Sequence, residues 1–98
     1  MKELNFEWDD NKERINIQKH GIDFETAAHV FYDEARIEKY DEKHSLNEDR
    51  YIVIGAVGGQ IAILTVIYTE RNNASTIRII SARLSTKEEK EEYYNGYN

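Results

Sequence analysis

RYIVIGAVGGQIAILTVIY, residues 50–68, is the stretch whose reading decides the fold. Two apolar runs flank Gly58-Gly59, and a Gly-Gly step signals a two-residue hairpin turn because both positions accept positive φ. The segment reads as a β-hairpin. Each arm is apolar at successive rather than alternate positions, which predicts strands covered on both faces and set centrally in a sheet.

Working outward, ERNNAS at 70–75 turns the chain into a further strand over 76–82. Beyond it, Ser85 with Glu88, or Thr86 with Glu89, has the spacing of a capping box and opens a last helix over about 86–94. Upstream, Asp33-Glu34 leads into a strand around 35–40, and the polar loop DEKHSLNED at 41–49 joins that strand to the hairpin.

Nearer the N-terminus, Asp9 or Asp10 caps a helix over about 10–20, with Glu13 three residues after Asp10 and Gly21 ending it after Lys19-His20. Ile15 and Ile17 do not share a face of that helix, so Phe6 and Trp8 are expected to anchor it. Lys12, Asn16, Lys19 and His20 do share one. Asp23 caps a second helix, in which Phe24, Ala27, Ala28 and Phe31 make a buried stripe. The expected fold is α+β in the order ααββββα: two N-terminal helices, a four-stranded antiparallel sheet and a C-terminal helix. No repeat or linker divides residues 1–98, which read as one domain, and the tail NGYN is expected to fray.

Composition bounds the function. A chain of 98 residues buries about 60–65% of the surface its unfolded form exposes, enough for one modest core. With no cysteine, disulfides and thiolate metal sites are excluded. The opening MKELNFEW lacks the apolar centre of a secretory signal, and the run Ile61–Tyr68 is far shorter than the ~20 residues that span a bilayer. A cytoplasmic protein is expected, with no membrane partner.

The net charge of −6 argues against a general nucleic-acid binder, since phosphate contacts need cations. The distribution is uneven, however. Residues 50–83 hold Arg50, Arg71, Arg78 and Arg83 against Glu70 alone, a local charge of +3.

Arg78 lies mid-strand, on the face of Ile80. Arg83 is expected at the corner where the strand gives way to the last helix, from which the two guanidiniums can converge. Such a pair binds phosphate bidentately at any working pH. Arginines at a sheet edge also form salt bridges, and 19 acidic residues are available. Lys19-His20 offers a similar choice, between general acid–base chemistry and cations that merely complement a helix C-terminus. His29, mid-helix, and His44, in a loop, have no metal-site spacing with His20. Gly-rich phosphate loops and serine or cysteine nucleophile motifs are missing, so no cofactor or metal is expected.

Together, FEWDDNK at 6–12, Asn16, KHGIDFETA at 19–27, Phe31 with Asp33, EDRYIVIG at 48–55, and IRIISAR at 77–83 with Lys87, Glu89 and Tyr93 resemble the BrnT family. These are toxins of type II toxin–antitoxin systems. The resemblance implies a RelE-like fold and a metal-independent endoribonuclease that cleaves RNA, free or ribosome-bound, and slows translation. It implies a ribbon-helix-helix antitoxin, BrnA-like, as partner, with promoter DNA bound through the antitoxin complex. The motif positions it matches point to Lys19, His20, Arg78 and Arg83 as the site, with Lys12, Arg50 and Glu70 as further substrate contacts; on chemical grounds proton transfer is expected of Lys19 or His20 and phosphate binding of Arg78 and Arg83. The alternative is an interaction module that binds the antitoxin, its nuclease activity weak or lost.

Overall fold

The computed structural model describes residues 4–96; Tyr97 and Asn98 of the NGYN tail lie outside the described residues. The strands are β1 (Asn5–Glu7), β2 (Ile37–Tyr40), β3 (Tyr51–Val57), β4 (Ala62–Arg71) and β5 (Thr76–Leu84). The helices are α1 (Asp10–His20), α2 (Phe24–Ala28) and α3 (Lys87–Asn95), and a 3-10 turn at His29–Tyr32 continues α2.

The hairpin at 50–68 forms as expected, with Val57 paired to Ala62 and Tyr51 to Tyr68. Its turn is longer than two residues. Gly58, Gly59 and Gln60 all adopt positive φ, and the loop closes through Ile61 N–H to the Gly58 carbonyl. Val53, Ile54, Leu64, Thr65 and Val66 are each no more than 2% exposed, so adjacent residues are covered on opposite faces. Sheet order β1-β5-β4-β3-β2 places β4 in the centre.

The sheet is not four-stranded and antiparallel, as the sequence reading has it, but five-stranded and mixed. Asn5–Glu7 runs parallel to Thr76–Arg78 at the edge of β5. Three residues are too few to show a strand period, and the pairing spans most of the chain, so no local signal marks it. The strand sets the Phe6 ring 5.5 Å from that of Phe31, while Trp8 meets Phe24 edge-on at 6.0 Å, so the aromatic partners of both belong to α2 and its 3-10 turn rather than to α1, the helix they are expected to anchor.

Two cores result. On one face α1, α2 and the 3-10 turn pack Phe24, Ala27, Val30 and Phe31 against Val66, Tyr68, Ile77 and Ile79. On the other, α3 contributes Tyr93 to Ile37, Ile54 and Ile63. Full burial of each large apolar side chain contributes about 1.5–3 kcal/mol. The stripe expected on the second helix is buried, although α-helical geometry stops at Ala28. There the Val30 backbone closes on Gly55 so tightly that a Cβ at Gly55 would lie 3.1 Å from the Val30 carbonyl oxygen.

At the helix start, Asp9 is the cap, accepting from the backbone N–H groups of Asn11 and Lys12. Glu13 instead reaches forward to the Phe24 N–H, tying α1 to the first turn of α2.

Beyond Arg78, β1 no longer covers the outer edge of β5, and one side chain takes its place. Asn16, 4% exposed, accepts from the Ala82 N–H through Oδ1 at 3.0 Å and donates through Nδ2 to the Ala82 and Ile22 carbonyls at 2.9 Å. Its amide imitates the next strand. Asn16→Ala is expected to destabilise the protein by about 2–3 kcal/mol, since buried backbone groups lose their partner. Urea unfolding at neutral pH measures it.

Candidate functional site

The last turn of α1 ends at Gly21, whose φ of +70° allows its N–H to bond back to the Ile17 carbonyl. That geometry leaves Lys19 and His20 at the helix terminus. Because Asn16 fixes α1 to β5, the face predicted from spacing is turned toward that strand. Lys12, Asn16, Lys19 and His20, with Ile15, line a cavity of about 210 Å³ whose far wall is Ile80 and Ser81. Two amines and an imidazole therefore border one recess.

β5 does not end in a corner near Ala82; it runs to Leu84, and Arg83 pairs with Thr65 within the ladder. Strict alternation would put Arg78 and Arg83 on opposite faces. A register shift prevents this, because Ile67 pairs with Ser81 while the next residue, Tyr68, pairs with Ile79. Ile80 is the extra residue of a β-bulge, and it reverses the alternation. Arg78, Ser81 and Arg83 consequently face the same side, that of α3. Along the strand the two arginines are about 15 Å apart. They share a face without converging.

Each arginine already holds a carboxylate. Arg78 Nη1 lies 2.7 Å from Glu7 Oε2, on the parallel strand. Arg83 grips Glu89 with both arms, Nη1 to Oε1 at 2.7 Å and Nη2 to Oε2 at 2.9 Å. Glu89 also closes the capping box of α3, accepting from the Thr86 N–H, and takes the Thr65 hydroxyl, which contacts Ser85. Thr86 with Glu89, not Ser85 with Glu88, is thus the box that forms.

These bonds set the ionisation of the pair. The Arg83 guanidinium, aided by the Thr86 amide and Thr65 hydroxyl, overcomes burial and holds the Glu89 carboxyl at about 2. Glu89 in turn raises the pKa of Arg83. A second network locks α3 at its far end. Burial alone would raise the Asp33 pKa, but donation from the Tyr93 hydroxyl and the Ala56 and Ala35 N–H groups holds it below the usual range. Burial, with the Asp33 bond, pushes the Tyr93 hydroxyl up to about 12.

The remaining predicted contacts lie elsewhere. Arg50 borders a cavity with His44, Leu46 and Glu48, and Glu70 borders another with Glu48, Tyr51 and Arg71. Neither joins the recess at α1. His44 pairs with Asp41 at 2.9 Å, and His29 lines an open cavity of about 490 Å³ with Tyr32 and Asp33. Among the described residues no three His, Cys, Asp or Glu side chains converge as metal ligands. No helix among them is long and apolar enough to cross a membrane.

Sequence reasoning placed Asn16 on the right helix face without seeing that it caps β5. It missed the pairing roles of Glu7, Glu89 and Asp33. Only Glu89 had a signal, its place three residues after Thr86.

The pair predicts a pH dependence. Because the folded pKa of Glu89 lies below its unfolded value, the stabilisation is complete above about pH 4.5 and is lost as pH falls toward about 2. Glu89→Gln, which keeps the capping spacing, should cost about 1–2 kcal/mol at pH 7, after allowing for the solvent exposure of Arg83. Its deficit should vanish near pH 2, as thermal unfolding across that range will show.

A family model described as "Ribonuclease toxin, BrnT, of type II toxin-antitoxin system" matches residues 8–89, from Trp8 to the glutamate that holds Arg83. No curated protein sequence matches the chain. The family match takes in α1 with its cationic face, the whole hairpin and all of β5, and on that extent the chain belongs to the BrnT family of ribonuclease toxins of type II toxin–antitoxin systems.

Proposed function

We propose that the chain is a metal-independent endoribonuclease that slows translation by cutting RNA, with its proton-transfer centre in the recess between α1 and β5. The observation that carries this reading is the grouping of Lys12, Lys19 and His20 around one cavity at the bulge of β5. RNA cleavage without a metal needs a base for the 2′-hydroxyl, an acid for the leaving 5′-oxygen, and fixed cations for the crowded phosphate. His20 and Lys19 supply the proton carriers and Lys12 a cation beside them. Arg78 and Arg83 stand on the α3 side of the same strand, each paired with a carboxylate that a substrate phosphate would displace. Arg50 and Glu70 lie far enough away to serve only distal parts of a long substrate.

Type II membership implies an antitoxin, and we assign it the ribbon-helix-helix, BrnA-like class, with promoter DNA engaged through the complex. RNA, free or on the ribosome, is the substrate. A second reading, an antitoxin-binding module with weak or lost cleavage, draws on the fact that Arg78 and Arg83 are both neutralised within the chain.

Expression of the wild type beside His20→Ala and Arg83→Ala, with RNA integrity followed over time, separates the two. The nuclease reading expects RNA breakdown that persists when purified protein is assayed in EDTA. His20→Ala should slow it by about 10²–10⁴-fold, and Arg83→Ala by about 10²-fold. Intact RNA with the wild type favours the interaction module.

A further inference from the structure

On the α3 side of the sheet, residues pair in two adjacent rows: Lys39, Ile52, Ile67 and Ser81 in one, and Ile37, Ile54, Thr65 and Arg83 in the next. Lys39 and Arg83 therefore stand on one face, about 16 Å apart, at opposite edges of α3. α3 neutralises both. Glu89 holds Arg83, and Glu92 holds Lys39 with both carboxylate oxygens at 2.9 Å. Glu89, Glu92 and the buried Tyr93 fall at i, i+3 and i+4, so one side of the helix carries two anions and a single apolar anchor onto the sheet.

α3 is short, and apart from the contacts of Glu89 and Glu92 it is tied down by one side chain, Tyr93, which is buried and donates to Asp33 at 2.6 Å. The helix has nine residues, fewer than an isolated helix needs to persist in water. Both ion pairs are partly exposed, with side-chain accessibilities of 33% and 30% for Lys39–Glu92 and 39% and 18% for Arg83–Glu89. The pairs leave part of each cation accessible, and phosphates compete for cations so placed.

We infer that α3 acts as a built-in phosphate mimic, its Glu89 and Glu92 carboxylates occupying positions that single-stranded RNA takes over when it binds Arg83 and Lys39. The inference rests on the ribonuclease reading above and adds Lys39 to the substrate-binding residues. The chain then carries two RNA-facing regions: the recess at α1, open to solvent, and the sheet face, which opens as α3 is displaced.

The test uses the full chain and a single-stranded oligoribonucleotide made uncleavable by 2′-deoxy substitution, with affinity measured against salt. Glu89→Gln/Glu92→Gln should tighten binding several-fold and steepen the salt dependence by about 0.7 for each phosphate newly engaged. Glu88→Gln/Glu91→Gln changes the net charge equally on the exposed side of α3 and should leave both quantities unchanged. Adding Arg83→Ala to the first double variant should remove most of its gain. Circular dichroism confirms that each variant is folded.

Equal affinities and slopes for the wild type and both double variants would overturn the inference while leaving the nuclease reading in place, provided the wild type cleaves RNA. Equal gains from the two double variants would overturn it too, as an effect of net charge alone. Failure of every variant to bind or cleave RNA would overturn the nuclease reading together with the mimic.

Discussion

The outer edge of β5 is the constraint on which the rest of the structure depends. β1 covers only Thr76–Arg78, and past that point the strand would present unpaired N–H and C=O groups to solvent or to another chain. Asn16 resolves this with one side-chain amide that meets both polar groups of Ala82 and the Ile22 carbonyl as well. A single buried residue therefore completes the sheet, orients α1 and fixes the start of α2. The recess that holds Lys12, Lys19 and His20 exists because this amide holds the helix against the strand.

The bulge at Ile80 supplies the second geometric element. By breaking the alternation between Tyr68–Ile79 and Ile67–Ser81, it turns Arg83 to the face of Arg78 and brings Ile80 and Ser81 to the wall of the recess. Bulges gather where a side chain must be re-aimed, and here one extra residue serves two regions. Within a chain of net charge −6, Lys12, Lys19 and His20 border one recess while Arg78 and Arg83 share one face of β5.

Much of this arrangement was legible before the structure. The hairpin, the stripe of Phe24, Ala27, Ala28 and Phe31, and the shared face of Lys12, Asn16, Lys19 and His20 all follow from spacing, because helix and strand periods are local properties. What was not legible depends on distant pairing. β1 is three residues whose partner lies some 70 positions away, and the bulge appears only when two strands are laid side by side. The arginine pair was read as convergent because a corner was expected near Ala82; the strand continues to Leu84, and each guanidinium found a carboxylate that spacing alone could not match to it. The family match gives the chain its class, while the roles of individual residues rest on chemistry at the recess and the sheet face.

The parallel seating of β1 on β5 has a consequence in time. Contacts that join residues 5–7 to 76–78, and Asn16 to Ala82, close most of the chain into one loop and cannot form early in synthesis. One wall of the recess is made in the first fifth of the polypeptide and the other at Ile80 and Ser81. A nascent chain shorter than that has half a site and no sheet edge to dock it on, so the toxin's geometry comes into being only as its own translation is nearly over.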